Sequence, residues 1–355
     1  MAPSKSVLLK AALSTLHYSG ADRLLAPMTR GNGVIFMMHH VSPEPPAEFE
    51  PNRILKITPA FLDEVIRQVI ANGYEIVSLD GVHERLNGIV QPERPFACFT
   101  FDDGYRDNRE HAYPIFKRHN APFAIYVPTD YADGVGDLWW LVLEEVLRRS
   151  PEVAVQRTGG LRVYSSRTTA EKNAAFDDIY WWLRDIPEHR ARQVVSDLAR
   201  CAGIDAGDIC RRLVMTWDEL RALASDPLVT IGAHTHGHYA LAKLDAAAAR
   251  SELAGSVARI ERELGRTCAH FSYPYGDEAS AGEREFTLAT EIGLKTAVTT
   301  RKGLIHSGMH SSATRLPRVS LNGDYQDARY VKVLLSGAPF AFWNALRRPS
   351  PAPSY

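Results

Sequence analysis

The chain has no apolar run near the ~20 residues needed to cross a bilayer, and no surplus of either charge. Lys and Arg number 41 against 42 Asp and Glu, a formal net charge of −1. A near-neutral balance provides no global basic field and argues against a nucleic-acid partner. Cysteine is scarce. Cys98, Cys201, Cys210 and Cys268 show no CxxC spacing, so neither a disulfide framework nor a thiolate metal knuckle is expected, and the scattered thiols fit a reducing, cytoplasmic compartment. The start of the chain makes a poor signal-peptide core, because Lys10 interrupts Val7-Leu8-Leu9. There is no internal repeat.

What is present is an alternation of strand and helix signals. Val34 to Met38 is apolar and ends at His39-His40. Thr58 and Pro59 then open a helix as N-cap and first helical residue, with Phe61, Val65, Ile66, Val69 and Ile70 on its inner face and Gly73 at its end. Further strands are expected at Glu75–Leu79, Phe96–Phe101, Phe123–Val127, Val229–Ala233, His270–Tyr273 and Thr296–Thr299, and a helix from Asp245 to Leu264. Such alternation predicts an α/β fold on a parallel sheet, open or closed into a barrel, with ligands gathered at the carboxyl ends of its strands.

Residues 130–228 break this rhythm and read as a mostly helical insertion over one barrel end. Expected helices include Leu138–Arg149 and Ala170–Leu183, and Thr216-Trp217-Asp218-Glu219 matches a capping box. The insertion carries Trp139-Trp140 and Trp181-Trp182. These pairs pack it together or, alternatively, turn an amphipathic ring toward a sugar or lipid. Residues 1–30 form an N-terminal segment in which Leu9, Leu13 and Leu16 share one face of an amphipathic helix, a pattern compatible with peripheral membrane contact. Residues 31–340 form the main domain. Residues 341–355, including Pro349-Ser350-Pro351-Ala352-Pro353, read as a flexible proline-rich tail.

The chemistry concentrates at two strand ends. Asp102-Asp103-Gly104 follows the apolar run ending at Phe101, and two adjacent carboxylates there are costly to desolvate unless a cation or proton shares the site. His234-Thr235-His236-Gly237-His238 follows Leu228 to Gly232. Spaced four apart, His234 and His238 would share one side of a helical turn. Two imidazoles and a carboxylate form a three-ligand site with open positions, suited to zinc and compatible with cobalt, nickel or iron. One carboxylate can then bind the ion while the other acts as general base. Gly104 lets the backbone turn beside them. His236 would point elsewhere.

Thr100-Phe101-Asp102-Asp103-Gly104, His234-Thr235-His236-Gly237-His238 and Phe271-Ser272-Tyr273-Pro274-Tyr275-Gly276 resemble the first three motifs of the polysaccharide deacetylase family (carbohydrate esterase family 4, with the nodulation chitooligosaccharide deacetylases). The resemblance runs from Gly33 to Leu321. It implies a distorted (β/α)7-type, TIM-like barrel and metal-dependent removal of N-acetyl groups from N-acetylglucosamine-type units of an oligosaccharide, polysaccharide or lipid-linked glycan. It also implies Asp102 as general base, Asp103, His234 and His238 as metal ligands, the Tyr275 backbone N–H as oxyanion donor, and Thr235 as support for the histidine loop.

Two departures stand out. Where many members carry an arginine that orients the base, this chain has Ser272, and Arg318 would supply the positive charge from another strand. The family's late leucine–histidine motif is missing. Met37-Met38-His39-His40-Val41 resembles an early element of the exopolysaccharide branch, which makes His39 the candidate general acid or substrate contact, ahead of His306 and His310. The rival readings are a deacylase of non-sugar amides or an O-acetyl esterase on the same fold, and a catalytically silent glycan-binding protein suggested by Ser272.

Overall fold

In the computed structural model, which describes residues 5–91 and 93–347, seven parallel strands close into a ring. They are β1 (Gly33–Met38), β2 (Phe96–Phe101), β3 (Phe123–Val127), β4 (Val229–Ala233), β5 (His270–Ser272), β6 (Thr296–Lys302) and β7 (Leu316–Ser320). Each pairs with the next in chain order, and β7 pairs back to β1 through Phe36 and Met37. The ring is uneven. β4 and β5 share a single rung, and the register shifts between β6 and β7. This is the distorted (β/α)7 barrel expected from the sequence.

The apolar strands are buried on both faces, as parallel strands must be when helices cover them. Ile35, Phe96, Cys98, Ala124, Tyr126, Val298 and Leu316 fill the bore. Their alternating neighbours Val34, Phe36, Phe99, Phe101 and Ile125 pack outward against the helices. The same two-residue alternation carries His39, Thr100, Asp102, Ser272 and Arg318 to the inside.

Several local expectations need correction. The strand at Glu75 stops at Ile76 because the Ser78 hydroxyl accepts the Gly81 N–H and starts a helix at Leu79. In helix Pro59–Ala71, capped by Thr58, Leu62 is buried, whereas Ile70 in the last turn is half-exposed. In helix Lys5–Tyr18 the leucine stripe is divided: Leu13 is buried against Tyr330 and Val333, while Leu9 stays exposed. Helix Ala338–Arg347 runs into the stretch expected as a tail, while Pro349 to Pro353 lie outside the described residues.

Between β3 and β4 lie helices including Trp139–Arg149, Thr169–Asp185 and Glu188–Cys201, and an antiparallel hairpin, Glu152–Arg157 with Gly160–Ser165. The hairpin was not anticipated, although Val153 and Val155 alternate ahead of Gly159-Gly160, an ordinary hairpin signal. The capping box at Thr216 forms with both of its hydrogen bonds. This stretch has a core of its own, around Trp139, Trp140, Leu143, Ile179 and Val195, which reaches Tyr105 at the barrel rim. Among the described residues no helix is long and apolar enough to cross a membrane.

Candidate metal centre and its buried base

β2 ends at Phe101, and the Asp102 N–H still reaches the Met38 carbonyl at 3.0 Å. Asp103 and Gly104 then both take left-handed backbone conformations, φ 73° and 68°. Gly104 does so at no steric cost, while Asp103 is held there at a cost on the order of 1–3 kcal/mol. The turn aims the two carboxylates at different partners. Both are buried, at 3% and 2% exposure.

Asp102 meets Arg318, itself 1% exposed. The guanidinium grips the carboxylate with both arms, Nη1 to Oδ1 at 2.8 Å and Nη2 to Oδ2 at 2.7 Å. Its other N–H groups reach the Thr299 carbonyl, the Thr100 hydroxyl and the Ser272 hydroxyl at 2.9, 3.2 and 3.0 Å. Every donor of the buried fork is therefore used. Burial alone would push the Asp102 carboxyl up, but the facing Arg318 charge and its hydrogen bonds hold it below the usual carboxylate range. The cation expected from another strand is in place, and Ser272 is the small residue that leaves room for it.

Asp103 meets the histidines. Its Oδ1 lies 3.5 Å from His234 Nε2 and 3.3 Å from His238 Nε2, and the three ligand atoms all fall within 4.8 Å of one another. Two ligands ~2.0–2.1 Å from a tetrahedral ion are separated by roughly 3.3–3.4 Å. The His234 Nδ1–H donates to the Ser272 carbonyl at 2.6 Å, which leaves the Nε2 lone pair directed at the centre. Burial pushes His238 down to about 4 against the pull of Asp103, so this imidazole is neutral, the ligating form. Asp103 Oδ1 is buried without a hydrogen-bond partner. An unpaired buried carboxylate oxygen beside two inward nitrogens fits a divalent cation.

The histidines are not brought together by a helical turn. Thr235 and His238 have φ of 65° and 59°, and the loop between them is held by side chains. The Thr235 hydroxyl accepts the His238 N–H at 2.9 Å. Glu252 accepts the N–H groups of His236 and Gly237, both at 2.9 Å, and the His236 ring turns away to Thr129. Arg192, from the insertion, donates to the carbonyls of Gly237 and His238 at 3.2 and 3.0 Å. Sequence reasoning missed Arg192, since with Glu188 four residues earlier it reads as a surface helix pair.

His39 lies half-buried within the fields of Asp102 and Asp103. Burial lowers its pKa, the two carboxylates oppose this, and Arg318 and His40 add to the lowering. His306 is exposed beside Gly31, before the start of β1 and so at the far end of the barrel, and His310 is exposed on the 3-10 helix Met309–Arg315; the alternation that carries β1 into the bore brings only His39 to the centre. Tyr275 also has positive φ, 60°. Its carbonyl accepts from Thr300 at 2.6 Å and its hydroxyl from the Trp139 indole at 2.7 Å. Arg184 covers its ring at 3.5 Å, while its backbone N–H meets no acceptor among the described residues. Trp139 and Trp140 are buried, and the Trp140 ring stands 5.1 Å from His238. Trp181 is 63% exposed.

Solved structures with this architecture include a Streptococcus pyogenes deacetylase, PplD, in complex with acetate (16% identity, TM-score 0.54, 82% of this chain and 92% of that one). IcaB from Ammonifex degensii is similar at 16% identity and TM-score 0.55, over 86% and 97% of the two chains. A de-N-acetylase from Aggregatibacter actinomycetemcomitans is similar at 15% and 0.54, over 85% and 99%. At such identities the likeness establishes the fold. No curated protein sequence matches the chain. The sequence model of the polysaccharide deacetylase family matches residues 90–297, more than half the chain, and that span takes in Asp102, Asp103, His234, His238 and Tyr275 but neither His39 nor Arg318. With both carboxylates and both imidazoles inside the matched span and converging at one barrel mouth, the chain belongs to the polysaccharide deacetylase family, hydrolases of carbon–nitrogen bonds in sugar amides.

Proposed function

We propose that the protein removes N-acetyl groups from N-acetylglucosamine-type units of a glycan, using a divalent ion, zinc by its donor set, held by Asp103, His234 and His238. The observation that carries this reading is the division of the two carboxylates. One is ionised and gripped by a cation, and the other has a free oxygen beside two imidazole nitrogens. When bound, the ion supplies Lewis acidity toward a carbonyl oxygen and toward water.

The chain's own residues supply the rest. Asp102 takes the proton from the attacking water, a role worth ~10²–10⁴ in rate. Arg318 keeps it ionised and fixed in direction. The Tyr275 N–H donates to the oxyanion that forms on the acetyl carbon. His39 delivers a proton to the departing amine; because burial holds this imidazole neutral, the proton it passes on is the one Asp102 has taken from the water, so the step balances within the site. Trp139 and Trp140 of the insertion pack with Tyr105 of the barrel rim and exclude water. Ser272, which suggested a silent binding protein, accepts from Arg318, so the base keeps its cation.

The test is metal analysis of purified protein together with acetate release from N-acetylated glycans. The expected result is one ion per chain and acetate release that Asp102→Asn abolishes while the ion stays. Full metal loading with no acetate from any N-acetyl sugar overturns the reading.

A further inference from the structure

Beside the catalytic centre a groove of about 610 Å³, a size typical of small-molecule sites, runs between the barrel mouth and the terminal helices. Its inner wall is made of Met37, Ser320 and Thr300. Met37 precedes His39 by two residues on β1, and Ser320 follows Arg318 by two on β7, so each points to the same side as its catalytic neighbour. Thr300 holds the carbonyl of Tyr275. The groove therefore starts next to the residues that flank the centre, although none of the residues assigned to the centre lines it. Its outer wall is mostly apolar, with Leu9 and Leu13 from helix Lys5–Tyr18 and Phe340 and Trp343 from helix Ala338–Arg347, and Lys302, Asn322 and Asp324 add polar groups to the lining. Leu8, Leu24 and Met28, on the first two helices of the chain, are also exposed.

A soluble polysaccharide presents hydroxyls and gives little return for an apolar wall of this extent, whereas a hydrocarbon chain buries against it favourably. We infer that the substrate is amphiphilic: an N-acetylated amino sugar joined through its anomeric end to a hydrocarbon carrier, with the sugar at the centre and the carrier in this groove. The inference rests on the deacetylase reading and names the substrate class within it. The open rim places the carrier's far end toward the exposed leucines, while the acetyl group faces Asp103 and the histidines.

The experiment compares acetate release from the methyl and octyl β-glycosides of N-acetylglucosamine, with the octyl compound below its critical micelle concentration and an N-acetylated chitooligosaccharide as a third substrate. The expected kcat/KM is at least about tenfold higher for the octyl glycoside than for the methyl. That ratio should fall toward one in Leu9→Asp and Ile54→Asp, two groove residues 40% and 44% exposed, whose replacement leaves the core intact. Equal kcat/KM for the two glycosides, or a ratio that neither substitution moves, overturns the groove assignment. So does turnover of the oligosaccharide alone. Acetate from none of the three overturns the deacetylase reading instead. Octanoate released from methyl N-octanoylglucosaminide faster than acetate from its N-acetyl counterpart would place the chain on the acyl side and overturn the carrier.

Discussion

The Asp102 half of the centre and the Asp103 half are built on opposite terms. Around Asp102 the ion pair is fully satisfied: five guanidinium N–H groups meet five acceptors, and the Thr100 hydroxyl donates to the Phe36 carbonyl at 2.6 Å. Around Asp103 polar atoms are buried without partners, namely its own Oδ1, the Tyr105 hydroxyl, the Trp140 indole N–H and His238 Nδ1. A buried polar group left unpaired costs on the order of 1–3 kcal/mol. Unpaired atoms beside two inward imidazole nitrogens fit a site that a ligand completes, while Arg318 holds the other carboxylate charged. The two neighbours in sequence thus differ in what each needs to be stable.

The largest effect should come from breaking the incomplete half. Asp103→Ala or His238→Ala removes a proposed ligand outright, so bound metal by elemental analysis should fall to background and acetate release with it, a loss exceeding the ~10²–10⁴ expected for removing a general base. Retention of one ion per chain in both variants would undo the division of roles. Next is Asp102→Asn. It should lower kcat by ~10²–10⁴ with metal content unchanged, and loss of the ion would instead exchange the two carboxylates.

Arg318→Met tests the complete half through stability. It leaves a buried carboxylate without its cation, which should cost about 3–5 kcal/mol in urea unfolding. Adding Asp102→Leu should restore part of that loss, since the two side chains contribute as a pair. Arg318→Lys should fall between, because an ammonium keeps the charge but not the two-armed grip.

The contrast explains what could be read from the residues in advance. Strand-end chemistry was legible because apolar runs stop abruptly at Asp102 and His234, and the order of strands and helices gave a parallel sheet, open or closed, which the motif resemblance narrowed to a barrel. Arg318 was named as the cation missing at Ser272, but its two-armed grip was not legible, because nothing near Leu316-Pro317 says which face the strand turns inward. The histidine loop was misjudged. Four-residue spacing suggests a helix, yet the observed geometry comes from left-handed Thr235 and His238, held by Glu252 and Arg192 from distant segments. The hairpin at Glu152 was passed over because its surroundings are strongly helical.

Arg192 marks where the insertion bears on the centre, and its removal should have a smaller consequence. Arg192→Ala frees the carbonyls of Gly237 and His238 without touching a ligand atom. Metal affinity should weaken by ~10–100-fold, as for other residues that orient ligands, and excess metal should recover kcat. Recovery distinguishes a positioning role from a general loss of fold. If excess metal restores nothing, the loop does more than orient the ligand.

The smallest effect should belong to Ser272→Ala. Arg318 Nη2 loses one acceptor but keeps Asp102, and the Ser272 carbonyl that fixes the His234 tautomer is backbone and remains. Stability should drop by on the order of 1 kcal/mol and kcat by less than about tenfold, measured by urea unfolding and acetate release. Ser272→Arg should do far worse despite supplying the arginine that the motif resemblance leads one to expect there, because the bore at this level is already filled by a guanidinium and two buried cations would face one carboxylate. Pairing it with Arg318→Ser moves the cation to the other strand. Recovery of kcat in that double variant would show that the centre needs one guanidinium on Asp102 and is indifferent to which strand provides it.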